Sequence, residues 1–158
     1  VHEVARMFGH KLRKNKIELQ LDLTPDLPQI RLNVDKIKQV LVNLLLNAMQ
    51  AVSESGLIRI ASGHDPGRGV LRVSVGDNGP GVESRIRDKI FDPFFSTKGT
   101  GEGTGLGLSV SYGIIQDHGG EIVLKSEQNV WTEFTILLPS NLEEEAKVDA
   151  EATIAHNR

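Results

Sequence analysis

The stretch DKIKQVLVNLLLNAMQAV, residues 35–52, governs how the rest of the chain is read. At about 100° per residue, Ile37, Val40, Leu41, Leu44, Leu45, Ala48 and Val52 fall on one broad apolar face, which predicts a long helix. Val42, Leu46 and Met49 form a second apolar strip on its other side. Between the two runs a narrow polar stripe of Gln39, Asn43, Asn47 and Gln50, with Lys36 on the same arc. A surface helix ordinarily carries a wide polar face. Either Asn43 and Asn47 are the solvent side of such a helix, or both flanks are buried and the asparagines line a groove. An asparagine amide oxygen is also a neutral hard ligand for Mg²⁺, which takes most of its remaining oxygens from phosphates and water.

Outward from this helix the pattern is readable in both directions. Asp35 is a candidate N-cap, and Ser-Glu-Ser-Gly at 53–56 ends the helix. Upstream, HEVARMFGHKLRK (2–14) has helical spacing and IELQLDL (17–23) alternates with the period of a strand. Downstream, LIRIASG (57–63) and VLRVSVGD (70–77) read as a hairpin, followed by a short helix near 83–89. A helix from about Gly105 to His118 is stopped by Gly119-Gly120, and EIVLKSE (121–127) and TEFTILLP (132–139) are the last two strands. This order is not the strict alternation of a doubly wound fold. It predicts an α+β two-layer sandwich, with a mixed, mostly antiparallel sheet packed on helices.

Composition narrows the classes. The chain has 158 residues, 39% hydrophobic and 25% charged, with a formal net charge of −3. That size suits a single domain, and the charge leaves no general nucleic-acid footprint. With no cysteine there is no disulfide framework or thiolate chemistry. No apolar run approaches the roughly 18 residues of a membrane span, so a cytoplasmic setting without direct membrane contact is expected, whether or not a parent protein is anchored. After Ser140 the pattern dissolves, and 141–158 reads as a polar tail.

Three further blocks carry chemistry. GDNGPGV (76–82) follows a predicted strand, so Asp77 is delivered to the strand's end, where a carboxylate accepting from an exocyclic amine would favour adenine over guanine. The same string also fits a plain Asn-Gly/Pro-Gly turn. IFDPFFSTK (90–98) clusters Phe91, Phe94 and Phe95, three of the five phenylalanines, into a packed hinge at the base of a loop. GTGEGTGLGLSV (99–110) is not a Walker A loop, since no Gly-Lys-Ser/Thr follows its glycines. A helix begins directly after it, and N–H groups at a glycine-bent helix N-terminus form an anion site suited to phosphate.

Taken in order, Asn-Leu-Leu-Leu-Asn-Ala (43–48), Asp-Asn-Gly-Pro-Gly (77–81), Phe-Asp-Pro-Phe-Phe (91–95) and Gly-Thr-Gly-Leu-Gly-Leu (103–108) resemble the N, G1, F and G2 boxes of one family. These are the catalytic, ATP-binding domains of two-component sensor histidine kinases, and the resemblance covers roughly residues 15–139. It implies the Bergerat fold over 15–140, with 1–14 the end of a linker helix from a phosphoacceptor hairpin. It further implies ATP and Mg²⁺ as cofactors, with Asn47 on the metal and Asn43 beside the phosphates. Asp77 would accept from the adenine amine, Gly79 and Gly81 would shape the pocket floor, and Thr132 would support Asp77 through its hydroxyl or a shared water. Gly103, Thr104, Gly105, Leu106, Gly107 and Leu108 would bring N–H groups to the triphosphate, and 96–103 would be a lid.

Two positions depart from the family's pattern. Gln50 stands where many members carry Lys or Arg three residues after the metal-binding Asn, and Lys98 is the candidate replacement charge. Trp131 stands where Gly usually precedes the Thr, and either covers the adenine edge or packs the strand end. Related ATPases carry a Glu at the position of Asn43, and an amide cannot act as a general base. The resemblance therefore implies that the γ-phosphoryl goes to a histidine on a separate dimerisation hairpin, and onward to a response regulator receiver domain. His2, His10, His64, His118 and His156 lack the acceptor context and read as exposed or capping side chains. The alternatives are a Bergerat-fold ATPase, an anti-sigma-type serine kinase and a degenerate docking module.

Overall fold

The computed structural model describes residues 1–52, 55–97 and 104–140. In chain order the elements are α1 (His2–Lys14), β1 (Glu18–Leu23), α2 (Val34–Ala51), β2 (Leu57–Asp65), β3 (Val70–Asp77), the 3₁₀ helix η1 (Ser84–Lys89), α3 (Gly107–Asp117), β4 (Glu121–Glu127) and β5 (Trp131–Pro139). The strands form one sheet in the order β1-β2-β3-β5-β4, parallel between β1 and β2 and antiparallel elsewhere. The parallel pair follows from connectivity, because α2 is the crossover between β1 and β2. The architecture is the mixed, mostly antiparallel two-layer sandwich read from the sequence.

Alternation along the strands sets the two faces of the sheet. Ile58 and Ile60 of β2, Val75 of β3, Phe134 and Ile136 of β5 and Ile122 of β4 are buried, in one cluster with Val40, Leu41, Leu44, Leu45 and Ala48 of α2. Arg59, Arg72 and Lys125 occupy the alternate positions and are exposed. Trp131 belongs to that outer face: its ring lies over Gly76 and under the Arg59 guanidinium, 5.4 Å from the ring centre. It therefore packs the strand end and does not line the cavity described below.

Helix boundaries differ from the reading in instructive ways. The N-cap of α2 is Asn33, whose side chain accepts from the Lys36 N–H at 3.1 Å, and Asp35 instead sits in the first turn, where a negative charge favours the helix dipole. Asn33 is itself held, because its N–H donates to His118 Nε2 at 3.1 Å. An imidazole nitrogen that accepts carries no proton, so Nδ1 is protonated and donates to the Ile114 carbonyl at 2.7 Å. His118 is thus a capping histidine that ties the end of α3 to the start of α2. For its part, α3 begins at Gly107 and not Gly105, since Gly105 has φ +65 and cannot belong to a right-handed helix.

Candidate functional site

One cavity of about 540 Å³ opens at the end of the sheet where β3 finishes and α3 begins. Its walls follow from the local folding of four segments. The polar stripe of α2 contributes Asn43, Asn47 and Gln50, together with Leu46 and Ala51. The ends of β3 and β5 contribute Asp77, Thr132 and Phe134, and the loop after β3 contributes Pro80, Gly81 and Val82. Ile86, Ile90 and Phe95 form an apolar side, and Thr104, Gly105, Gly107 and Leu108 complete the wall at the start of α3. The asparagines therefore line a groove and are not the solvent side of a surface helix.

Asp77 is 3% exposed and accepts the Gly79 N–H at 2.9 Å. Burial pushes its carboxyl up to about 6, partly offset by that backbone bond. It is the only ionisable side chain among the described residues lining the cavity. Thr132 is its register partner across β3 and β5 and is also buried. Gly79 acts through Asp77 and is not itself among the cavity's lining residues. Gly81 has φ +83, and a Cβ there would lie 2.9 Å from the Gln128 Cα, so the loop can pass this close to the β4–β5 turn only with glycine.

On the opposite wall, Asn43 Nδ2 donates to the Gly107 carbonyl and the Ser111 hydroxyl, each at 3.1 Å. Ser111 in turn donates to the Gly107 carbonyl at 2.8 Å. A carbonyl can only accept, so this network fixes which end of the Asn43 amide faces α3. The other sequence candidates divide. Thr104, Gly105, Gly107 and Leu108 line the cavity, whereas Leu106 does not, and its N–H faces the Thr104 hydroxyl at 3.4 Å. Lys98 and Gly103, and most of the lid 96–103, lie outside the described residues. The two stems of that loop meet where the Phe94 N–H donates to the Gly105 carbonyl at 3.0 Å.

Residues 32–142 match the family model described as histidine kinase-, DNA gyrase B- and HSP90-like ATPase. The chain belongs to this family. Among its relatives is the sensor histidine kinase ZraS of Escherichia coli strain K12, 42% identical over 142 residues, which cover 90% of this chain and 30% of ZraS. The catalytic domain of the histidine kinase ThkA has a TM-score of 0.79 at 38% identity, covering 88% of this chain and 89% of that one. ThkA solved in complex with the response regulator protein TrrA gives 0.71 at 35%, covering 88% and 39%. Within the family the chain is an ATP-binding catalytic domain of the sensor histidine kinase kind, and it spans under a third of the length of ZraS.

For a histidine-kinase-type ATPase domain, the aromatic hinge has an unexpected split. Phe91 and Phe95 pack against the core, and Phe91 meets Phe134 edge-on at 6.3 Å and Tyr112 at 5.5 Å. Phe94, expected to pack with them, is 76% exposed at φ +65. Its carbonyl carbon lies so near Gly105 that a Cβ there would come within 2.5 Å, and this contact between the loop stems sets its backbone outward. Four contributors were not singled out from the sequence. Ile86 of η1 and Ile90 directly after it supply the apolar side, whereas Arg87 and Ser126 act through backbone bonds with no sequence signature.

Proposed function

We propose that this domain binds Mg-ATP in the cavity and delivers the γ-phosphoryl to a histidine on a separate helical hairpin, from which it passes to a response regulator receiver domain. The observation that carries the reading is the polarity of the cavity. A buried carboxylate stands at one end, and neutral amides beside a helix N-terminus stand at the other. Asp77 accepts from the adenine amine, Gly81 and Val82 shape the floor, and Ile86, Ile90 and Phe95 cover the base and exclude water. Thr104, Gly105, Gly107 and Leu108 offer backbone N–H groups to the phosphates.

The donor set fits a magnesium ion that arrives with the nucleotide. No group of three or more His, Cys, Asp or Glu among the described residues could cage a metal, and Mg²⁺ needs only one or two protein oxygens when phosphates and water supply the rest. Asn47 would hold it, and the ion would neutralise charge on the transferring phosphoryl. Because the amide nitrogen of Asn43 is turned to α3, its oxygen is the group it offers to the cavity. An amide oxygen is no base at neutral pH, so water attack goes unassisted and a positioned imidazole is the favoured nucleophile. Lys98 is the proposed counter-charge that offsets Gln50.

The wider assignments rest on the same reading. Residues 1–14 end a linker helix from the hairpin, 15–140 form the catalytic domain, and 141–158 form a tail, with the domain on the cytoplasmic side of any anchored parent. The exposed Phe94, Val110 and Tyr112, all from the segment bracketing the cavity mouth, suit an apolar contact with the hairpin. The test mixes the chain, radiolabelled ATP and histidine-bearing hairpins, then scores acid-labile phosphate on the hairpin. Label that is acid-stable, or found only as inorganic phosphate, would turn the assignment toward a serine kinase or an ATPase.

A further inference from the structure

Toward the cavity, the helix-covered face of the sheet ends in a polar row. Asp77, Thr132 and Ser126 are register partners across β3, β5 and β4, where the row behind them is Val75, Phe134 and Leu124. Asp77 and Thr132 line the cavity and Ser126 does not. Ser126 Oγ instead accepts the Val82 N–H at 2.8 Å and stands 3.3 Å from Thr132 Oγ1. The serine is clamped from a second side, since Arg87 Nη2 donates to the Ser126 carbonyl at 2.6 Å and its Nε to the Val82 carbonyl at 3.1 Å. The Asn129 N–H reaches the Pro80 carbonyl at 2.9 Å. The cavity loop, the β4–β5 turn and η1 are thereby held as one unit.

A hydroxyl has one proton to give and two lone pairs to receive. With one lone pair of Ser126 taken by Val82, its proton is available to the Thr132 oxygen 3.3 Å away. A Thr132 that receives this proton has its own left for the cavity, where Asp77 is its register partner. We propose that Ser126 gives its proton to Thr132 and is thereby a positioning residue for base recognition, making Thr132 a donor next to the acceptor Asp77. This deepens the proposed binding of ATP with its base at Asp77 and rests on that reading. An acceptor beside a donor complements adenine, whose edge presents an amine next to the bare ring nitrogen N1. Guanine presents a carbonyl next to N1–H, the reverse order, so the proton that Ser126 supplies sets which base edge the Asp77–Thr132 pair accepts.

The test uses titration calorimetry of the chain with ATP and with 1-deaza-ATP, in which a C–H replaces N1. A single neutral hydrogen bond corresponds to a preference of the wild type for ATP of about tenfold. In Ser126→Ala that ratio should fall to about twofold or less, and Ser126→Thr should restore it. Ser126→Cys keeps the volume but hydrogen-bonds poorly, and should also lower the ratio, which covers the case in which the alanine variant does not fold. Thr132→Val should abolish the preference and make it insensitive to Ser126→Cys. A wild-type ratio near one, or a ratio that Ser126→Ala and Ser126→Cys leave unchanged in protein with native circular dichroism, would overturn the proposal. Wild-type protein that binds ATP and inorganic triphosphate equally would instead remove the base from the Asp77 end, a separate failure of the underlying reading.

Discussion

Asn43 on α2 gives its side-chain amide nitrogen to α3, where it donates to both the Gly107 carbonyl and the Ser111 hydroxyl. The bond to Gly107 reaches the first residue of α3, and Ser111 is fully buried beneath it. Asn43 is therefore a strut that sets where the N-terminus of α3 stands relative to the polar stripe of α2. The wall proposed for the phosphates is assembled from these two helices, so the strut fixes the geometry of that wall.

Asn43→Asp tests the strut with almost no change in volume. A carboxylate has no hydrogen to give at neutral pH, and it would set negative oxygen against the Gly107 carbonyl. Losing the two bonds, at a net of about 0.5–1.5 kcal/mol each, costs about 1–3 kcal/mol. Thermal unfolding should shift down by several degrees, at about 2–4 °C per kcal/mol. Asn43→Gln, which retains the donors on a longer arm, should lose less. An unshifted midpoint in Asn43→Asp would show that the two bonds carry no net stability.

Asp77 should make both stability and affinity depend on pH, with opposite signs. Its folded carboxyl is raised from 3.8 to about 6, so the nucleotide-free protein binds the proton more tightly than the unfolded chain does. Its contribution to stability is thus greatest below about pH 4 and is lost as pH rises toward 6. A base amine needs the ionised carboxylate, so adenosine affinity should fall below pH 6, approaching about tenfold per pH unit. Calorimetry in buffers of different ionisation enthalpy should detect a proton released on binding near pH 5. Asp77→Asn should flatten this profile and weaken ATP far more than inorganic triphosphate, and a profile that survives the substitution would assign the pH dependence elsewhere.

Long periodic elements were legible in the sequence because burial writes itself as spacing. The apolar faces of α2 and the alternation of β2, β3 and β5 gave the layers directly. The two candidate ends of the cavity, Asn43 with Asn47 and Asp77, were legible for the same reason, as polar residues interrupting apolar patterns. What escaped was decided by backbone partners distant in sequence. Asn33 caps α2 because His118, from the end of α3, holds its N–H. Phe94 turns outward because Gly105 passes against its backbone. The clamp of Arg87 on Ser126 and Val82 uses carbonyls, which every residue possesses, so no side-chain pattern announces it.

Asn47 lines the cavity one helical turn beyond Asn43. If it is the magnesium-binding amide, Asn47→Ala should remove the increment in ATP affinity that magnesium confers, at least about tenfold, while affinity measured in excess chelator stays put. The comparison of the two titrations is what separates a metal ligand from a structural residue. A loss that is equal with and without magnesium would place Asn47 among groups that hold the wall and not the ion.

The stems of the glycine-rich loop offer the sharpest contrast between two glycines. Gly105 has φ +65, and a Cβ on it would lie 2.5 Å from the Phe94 carbonyl carbon and 2.8 Å from its Cα, so Gly105→Ala must drive two backbone segments apart. The left-handed conformation alone disfavours alanine by about 1–2 kcal/mol, and the Phe94–Gly105 hydrogen bond would break as the stems separate. The damage falls at the α3 end of the cavity, far along the chain from Asp77. ATP should therefore weaken by about tenfold, the equivalent of roughly 1.4 kcal/mol, while adenosine binds nearly as before. Gly113, in the middle of α3, has nothing within 4 Å of a built Cβ. Gly113→Ala should accordingly stabilise the fold by about 0.5–1 kcal/mol and leave both ligands unchanged. If Gly105→Ala weakened adenosine as much as ATP, the loop stems would be supporting the base end of the cavity and not the phosphate wall.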